Sequence, residues 1–205
     1  GRAYGRLHAC LSEYDGPIET WRVDIYDLVF NDYAPRWLPH LSGDVLSRIQ
    51  ATLRELEDPL QLLATELPVQ TILLDVHRGN VRMMGDEFRG FIDCDHICIG
   101  QRFFDVVTAL SSMVRYRGRN GLPVDGDPEE QRAYWLSHFS QFLSGYHEVN
   151  PFFELERDHL WLGMLSCCFP DGREIRDGVP VLEHMDWFYS NREVMERSIY
   201  HAVAF

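Results

Sequence analysis

The 205-residue chain has no lysine; all 19 of its basic residues are arginine, set against 32 aspartates and glutamates. The formal charge of −13 argues against a nucleic-acid or anionic-membrane surface. There is no G-x-G-x-x-G segment, so no stretch of the chain cradles phosphates in that way. No run of 18 apolar residues exists to form a spanning helix, and no charged-then-apolar leader suggests secretion. The five cysteines (Cys10, Cys94, Cys98, Cys167 and Cys168) form no C-x-x-C pair and are odd in number. Free thiols and a reducing cytoplasm are the expectation. What remains is an ordinary globular composition, 45% apolar and 25% charged, long enough for one large domain with a sizeable core.

One stretch organises the chain, residues 71–105: TILLDVHRGNVRMMGDEFRGFIDCDHICIGQRFFD. The apolar run Ile72-Leu73-Leu74 delivers Asp75, followed by His77, Gly79 and Asn80 on a polar loop. Val81 to Met84 and Phe88 to Ile92 read as short strands, with Gly85-Asp86 as the turn of a β-hairpin. The second strand runs into Asp93-Cys94-Asp95. A hairpin returns to its starting point, so Asp93 is expected beside Asp75 and Asn80. Two carboxylates and an amide oxygen there suit a hard cation such as Mg²⁺, with phosphate oxygens completing its shell.

At these residues the chain resembles the aminoglycoside phosphotransferase family, which with the choline, homoserine and hydroxylysine kinases has the protein-kinase-like fold. The matching pieces are Asp75-x-His77-x-x-Asn80, the hairpin, Ile92-Asp93-x-Asp95, and Gly100 to Asp105 (GQRFFD). The resemblance implies that Asp75 is the base, that Asn80 and Asp93 are metal ligands, and that Asp105 opens the next helix and braces the loop. It implies ATP and Mg²⁺ as requirements, with Ile92 on the floor under the nucleotide and a small-molecule hydroxyl as acceptor. His77 and Gly79 would keep the loop rigid. Arg78 would either neutralise the transferring phosphoryl group or lie in solvent. Asp95 reads first as surface, with support of the metal shell or of a cationic substrate as its functional alternatives. Where the family has His-Gly before the base, this chain has Leu73-Leu74. Kinases of this fold also carry a strand lysine on the α- and β-phosphates. With no lysine present, the chain resembles the C-terminal lobe alone, its N-terminal ATP lobe lying elsewhere.

The expected architecture is therefore α+β and mainly α, a single unit over 1–205 with the catalytic loop and hairpin at 71–105. A helical substrate subdomain follows over about 106–205. Periodicity predicts helices over Tyr4–Tyr14, Glu19–Phe30, from Ser42 or Asp44 to Glu57, and, after a break at Asp58-Pro59, on to Leu67. Tyr33–Leu41, with two prolines, reads as irregular, and His8, off the apolar stripe of the first helix, as a surface residue. Later helices follow Asp105, start near Asp127-Pro128, run from Glu154 to about Cys168 and from Leu182 to about Tyr200. Arg115–Gly126 and Phe169-Pro170-Asp171-Gly172 read as loop and turn.

Two other function classes compete. Asp75, His77, Asp93, Asp95 and His96 can be read as the His/Asp metal cluster of a zinc or manganese hydrolase. Against it, the histidines lack H-x-x-x-H spacing and Asn80 has no role. The third class is a non-catalytic binding module, a pseudokinase that has kept the fold.

Overall fold

The computed structural model describes residues 1–16, 21–115, 128–169 and 179–204, with backbone only at 78, 113–115, 128–131 and 179–180. The loop expected over Arg115–Gly126 and the turn at Pro170–Gly172 lie almost entirely outside those residues, as does the Arg78 side chain.

Among the described residues helices dominate, and two small antiparallel sheets sit among them. The helices are α1 (Arg2–Ser12), the short α2 (Ala34–Trp37), α3 (Gly43–Glu66), α4 (Arg102–Arg115), α5 (Pro128–Val149), α6 (Glu154–Ser166), α7 (Val179–Ser190) and α8 (Arg192–Val203). The strands are β1 (Val69–Ile72), β2 (Val81–Met84), β3 (Glu87–Phe91) and β4 (Cys98–Gln101).

In α3, Ile49, Leu53, Leu56, Leu60 and Leu63 bury one continuous face. That face explains why the break expected at Asp58-Pro59 does not occur. Pro59 lies inside the helix, and the leucines before and after it pack on the same side. A proline costs the helix a hydrogen bond, and burial of the flanking leucines outweighs it here. The Tyr33–Leu41 region is also more regular than expected. A π-helical turn over Asp27–Tyr33 runs into α2, and a 3-10 turn over Leu38–His40 follows. The single helix expected over Leu182–Tyr200 is two. Asn191 is nearly buried; its backbone N–H and its Nδ2 donate to carbonyls of the last turn of α7, and its carbonyl accepts the first hydrogen bond of α8.

α1 lies against α5 at backbone contact. A Cβ on Gly5 would stand 2.5 Å from Val149 Cγ2 and 3.0 Å from the Tyr146 carbonyl oxygen, so only glycine fits. This close approach sets Tyr4 and His8 of α1 against Tyr146 of α5.

β1 pairs with β4, Thr71 opposite Ile99 and Ile72 opposite Cys98. β2 pairs with β3 in the hairpin expected, turning at Gly85 with φ of +61°. Strand β4 was not expected. Its pairing positions the functional loops, because the chain leaves β1 at Ile72 and re-enters β4 at Cys98. The loops carrying Asp75 and Asp93 therefore emerge from one end of the same two-stranded sheet.

Candidate active site

Beyond Ile72 the chain makes a tight, polar turn. Leu73 N–H donates to Asp105 Oδ2 at 2.9 Å, and Leu74 N–H donates to Asp105 Oδ1 at 3.1 Å. Asp105 lies in the first turn of α4 and is wholly buried. Its carboxylate is the fixed point from which the loop hangs. Leu74 has φ of +66°, the left-handed region that L-residues adopt only at a cost. The function of Leu73-Leu74 is thus carried by main-chain N–H groups, which any residue but proline supplies. A glycine at 74 would meet the same geometry without strain.

The strained turn presents Asp75, whose side chain is about half-exposed. Asn80 is nearly buried and holds Asp75 twice: its Nδ2 donates to the Asp75 carbonyl oxygen at 3.0 Å and to Oδ2 at 3.1 Å. Between them, Gly79 N–H donates to His77 Nδ1 at 3.0 Å, and Asn80 N–H donates to the His77 carbonyl at 2.9 Å. A Cβ on Gly79 would sit 2.7 Å from His77 Cε1, so the imidazole occupies space that only glycine leaves clear. His77 Nε2 and His96 Nδ1 each stand 3.7 Å from Asp75 Oδ2.

The hairpin brings the second acidic segment back as expected at the level of the backbone. Ile92 N–H donates to the Asn80 carbonyl at 2.9 Å, which sets Asp93 one residue beyond the pair. Asp93 has φ of +60° and is exposed. Asp95 is exposed and pairs with His96, Oδ1 to Nδ1 at 3.2 Å. Asn80 and Asp93 offer oxygen donors, the chemistry that fits a hard divalent cation. Among the described residues no group of three or more His, Cys, Asp or Glu is disposed to hold a metal by itself. A small cleft of about 120 Å³ opens beside Asp75. The loop from Leu74 to His77 forms one wall, Thr108, Ser111 and Ser112 of α4 the other, and Cys167 closes it.

The residue missed by sequence reasoning is His8. It is not a surface histidine but wholly buried, with Nε2 2.9 Å from Asp105 Oδ2 and Nδ1 2.7 Å from the Tyr146 hydroxyl. Burial pushes the Tyr146 phenol up, so the hydroxyl keeps its proton and can donate it to the ring. The signal was available in the spacing: Tyr4 and His8 are four apart and share the face that α1 buries. Burial also pushes the Cys98 thiol up to about 12, the Asp105 charge adding to the effect.

The model of the phosphotransferase enzyme family (APH) matches residues 1–152. A homoserine kinase of Neisseria meningitidis serogroup B is 26% identical over 115 residues, 56% of this chain and 36% of its own length. A homoserine kinase of Methylobacillus glycogenes is 27% identical over 165 residues, 80% of this chain and 46% of its own. The chain thus spans less than half the length of either relative. The family match runs from α1 through both loops to the end of α5, and takes in Asp75, Asn80, Asp93, Asp105 and His8 alike. This chain belongs to the phosphotransferase enzyme family.

Proposed function

We propose that the protein moves the γ-phosphoryl group of ATP to a hydroxyl of a small molecule, an amino alcohol such as homoserine being the first candidate, with this chain as a kinase-like C-terminal lobe. The observation that carries the reading is the Asp75–Asn80 pair: a half-exposed carboxylate fixed at both its backbone and one of its oxygens, beside a cleft lined by polar side chains.

Asp75 accepts the proton of the acceptor hydroxyl as its oxygen attacks the γ-phosphorus and ADP leaves. Asn80 does two things. Its Nδ2 aims Asp75, which leaves the amide Oδ1 as a donor for a cation. Asp93 supplies the second oxygen ligand. Held by Asn80 and Asp93, Mg²⁺ would supply positive charge to offset that of the phosphates. His77 and His96, near Asp75, bring donors to the place where the phosphoryl group must pass. Ile92, beside Asn80 in the hairpin, belongs to the floor under the nucleotide. A lysine for the α- and β-phosphates has to come from outside these 205 residues, since none of them is lysine.

The kinship with homoserine kinases supports a small hydroxylated acceptor of that class. The hydrolase alternative has nothing comparable to rest on, since among the described residues no His/Asp group converges on a metal position. The test is a panel of amino alcohols, homoserine and choline included, assayed on the full-length protein with ATP and Mg²⁺. Phosphorylation of one acceptor in proportion to ADP formed supports the reading. ATP hydrolysis indifferent to every acceptor overturns it.

A further inference from the structure

The buried polar chain beneath the loop has more partners than holding a helix in place requires. Asp105 Oδ2 receives both the Leu73 N–H and His8 Nε2, each at 2.9 Å, while His8 Nδ1 lies 2.7 Å from the Tyr146 hydroxyl. All three side chains are fully buried. They come from three helices, α5, α1 and α4, and Asp105 of α4 accepts the N–H of Leu74, the strained residue that presents Asp75. A carboxylate in such a place is restrained only by its donors. Remove one and it can rotate, and an oxygen that turns away releases the N–H groups it holds. Leu74, at φ of +66°, then has a lower-energy backbone to relax to.

We infer that His8 is a positioning residue for the phosphoryl-transfer reaction. It clamps Asp105 from below, with Tyr146 fixing the imidazole, so that Leu73 and Leu74 hold Asp75 in its working place. In the tautomer protonated at Nε2, the Tyr146 O–H donates to Nδ1 and the Nε2–H donates to Asp105 Oδ2, while the two loop amides donate to the same carboxylate. The inference rests on the proposed function for its catalytic consequence, but not for its structural one.

Two readouts on the full-length protein separate these consequences. The first is hydrogen exchange at the Leu73 and Leu74 amides, measured against the β1 amides before them. His8→Leu should speed exchange at the two loop amides by about tenfold or more while leaving β1 protected. The second is kinetics. The same variant should lower kcat by about tenfold or more, since a small misplacement of a reacting group is enough, with the KM for ATP held within about threefold. His8→Gln, whose amide N–H reaches the same carboxylate oxygen, should restore both readouts. If His8→Leu does not fold, Tyr146→Phe keeps the ring and removes only the donor to His8. It should loosen the same two amides and no others. Unchanged exchange at Leu73 and Leu74 in the folded variants overturns the inference, even where the melting temperature falls. Faster exchange with unchanged turnover overturns the catalytic role of the clamp. If the wild type phosphorylates no acceptor, the proposed function has failed on its own and the exchange result still decides the clamp.

Discussion

Asn80 donates its side-chain amide to Asp75 at two points, the carbonyl oxygen at 3.0 Å and Oδ2 at 3.1 Å. One residue therefore aims the candidate base, and the other end of the same amide carries the oxygen assigned to the cation.

Asn80→Ala removes both. Turnover should fall by about 10²-fold or more and the Mg²⁺ concentration for half-maximal rate should rise severalfold, as expected when a ligand and its orienting contact are lost together. Titrating Mg²⁺ at fixed ATP reads it. An unaltered Mg²⁺ requirement would remove Asn80 from the metal assignment.

Leu74 should invert a familiar order. Away from the left-handed region, Ala is more stable than Gly in most contexts, whereas at φ of +66° Leu74→Gly should be more stable than Leu74→Ala by about 1 kcal/mol. Urea unfolding of the two variants measures the difference. An Ala variant equal to or above the Gly variant would mean that the turn is not strained.

The buried Arg102–Glu156 pair ties the start of α4 to α6. Arg102 Nε and Nη2 donate to Glu156 at 2.9 and 2.7 Å, Nη2 reaches the Pro151 carbonyl at 2.7 Å, and Nη1 donates to Asn150. Glu156→Ala leaves the guanidinium without its carboxylate and should cost about 3–5 kcal/mol, read by urea unfolding. Because α4 carries Asp105, the activity of the surviving folded fraction should also fall. A loss below about 1 kcal/mol would mean that water replaces the carboxylate without penalty.

Cys98 is held as a neutral thiol, its pKa raised from 9.0 to about 12 by burial first and by the Asp105 charge second. A thiol whose folded pKa lies above its unfolded one favours the folded state fully below the unfolded value of 9.0, and that contribution is lost as pH rises from there towards 12. At a pH of about 8, iodoacetamide should therefore label the exposed Cys10 and Cys94 and leave Cys98 untouched until the protein unfolds. Rapid labelling of native Cys98, read by mass spectrometry, would contradict its burial.

What the sequence disclosed and what it hid divide along a physical line. The motif from Asp75 to Asp105 was legible because its chemistry is local: a fixed spacing of acids and amide, and a Gly85-Asp86 turn that only a hairpin explains. The α3 face was legible from periodicity, although Pro59 falsely suggested a break, because burial of Leu56, Leu60 and Leu63 on either side cannot be weighed from local propensity. Strand β4, Cys-Ile-Gly-Gln, shows no alternation and exists because β1 and the Arg22 segment pair with it from either side. His8 was overlooked although its spacing from Tyr4 carried a signal. Its partners stand 97 and 138 residues away, and an apolar stripe drawn through Leu7 and Leu11 set it on the wrong face. The hairpin that returns Ile92 to Asn80 was readable; the left-handed backbone at Leu74 and Asp93 was not, since neither residue announces it.

Everything proposed for this site depends on Asp75 being the base of a phosphoryl transfer. The decisive comparison sets Asp75→Asn against the wild type in the full-length protein, measuring phosphorylated acceptor and ATP affinity side by side. Transfer should fall by about 10²-fold or more while ATP·Mg²⁺ affinity stays within a few-fold, since Asp75 addresses the acceptor and not the nucleotide. Wild-type transfer by Asp75→Asn would contradict the assignment.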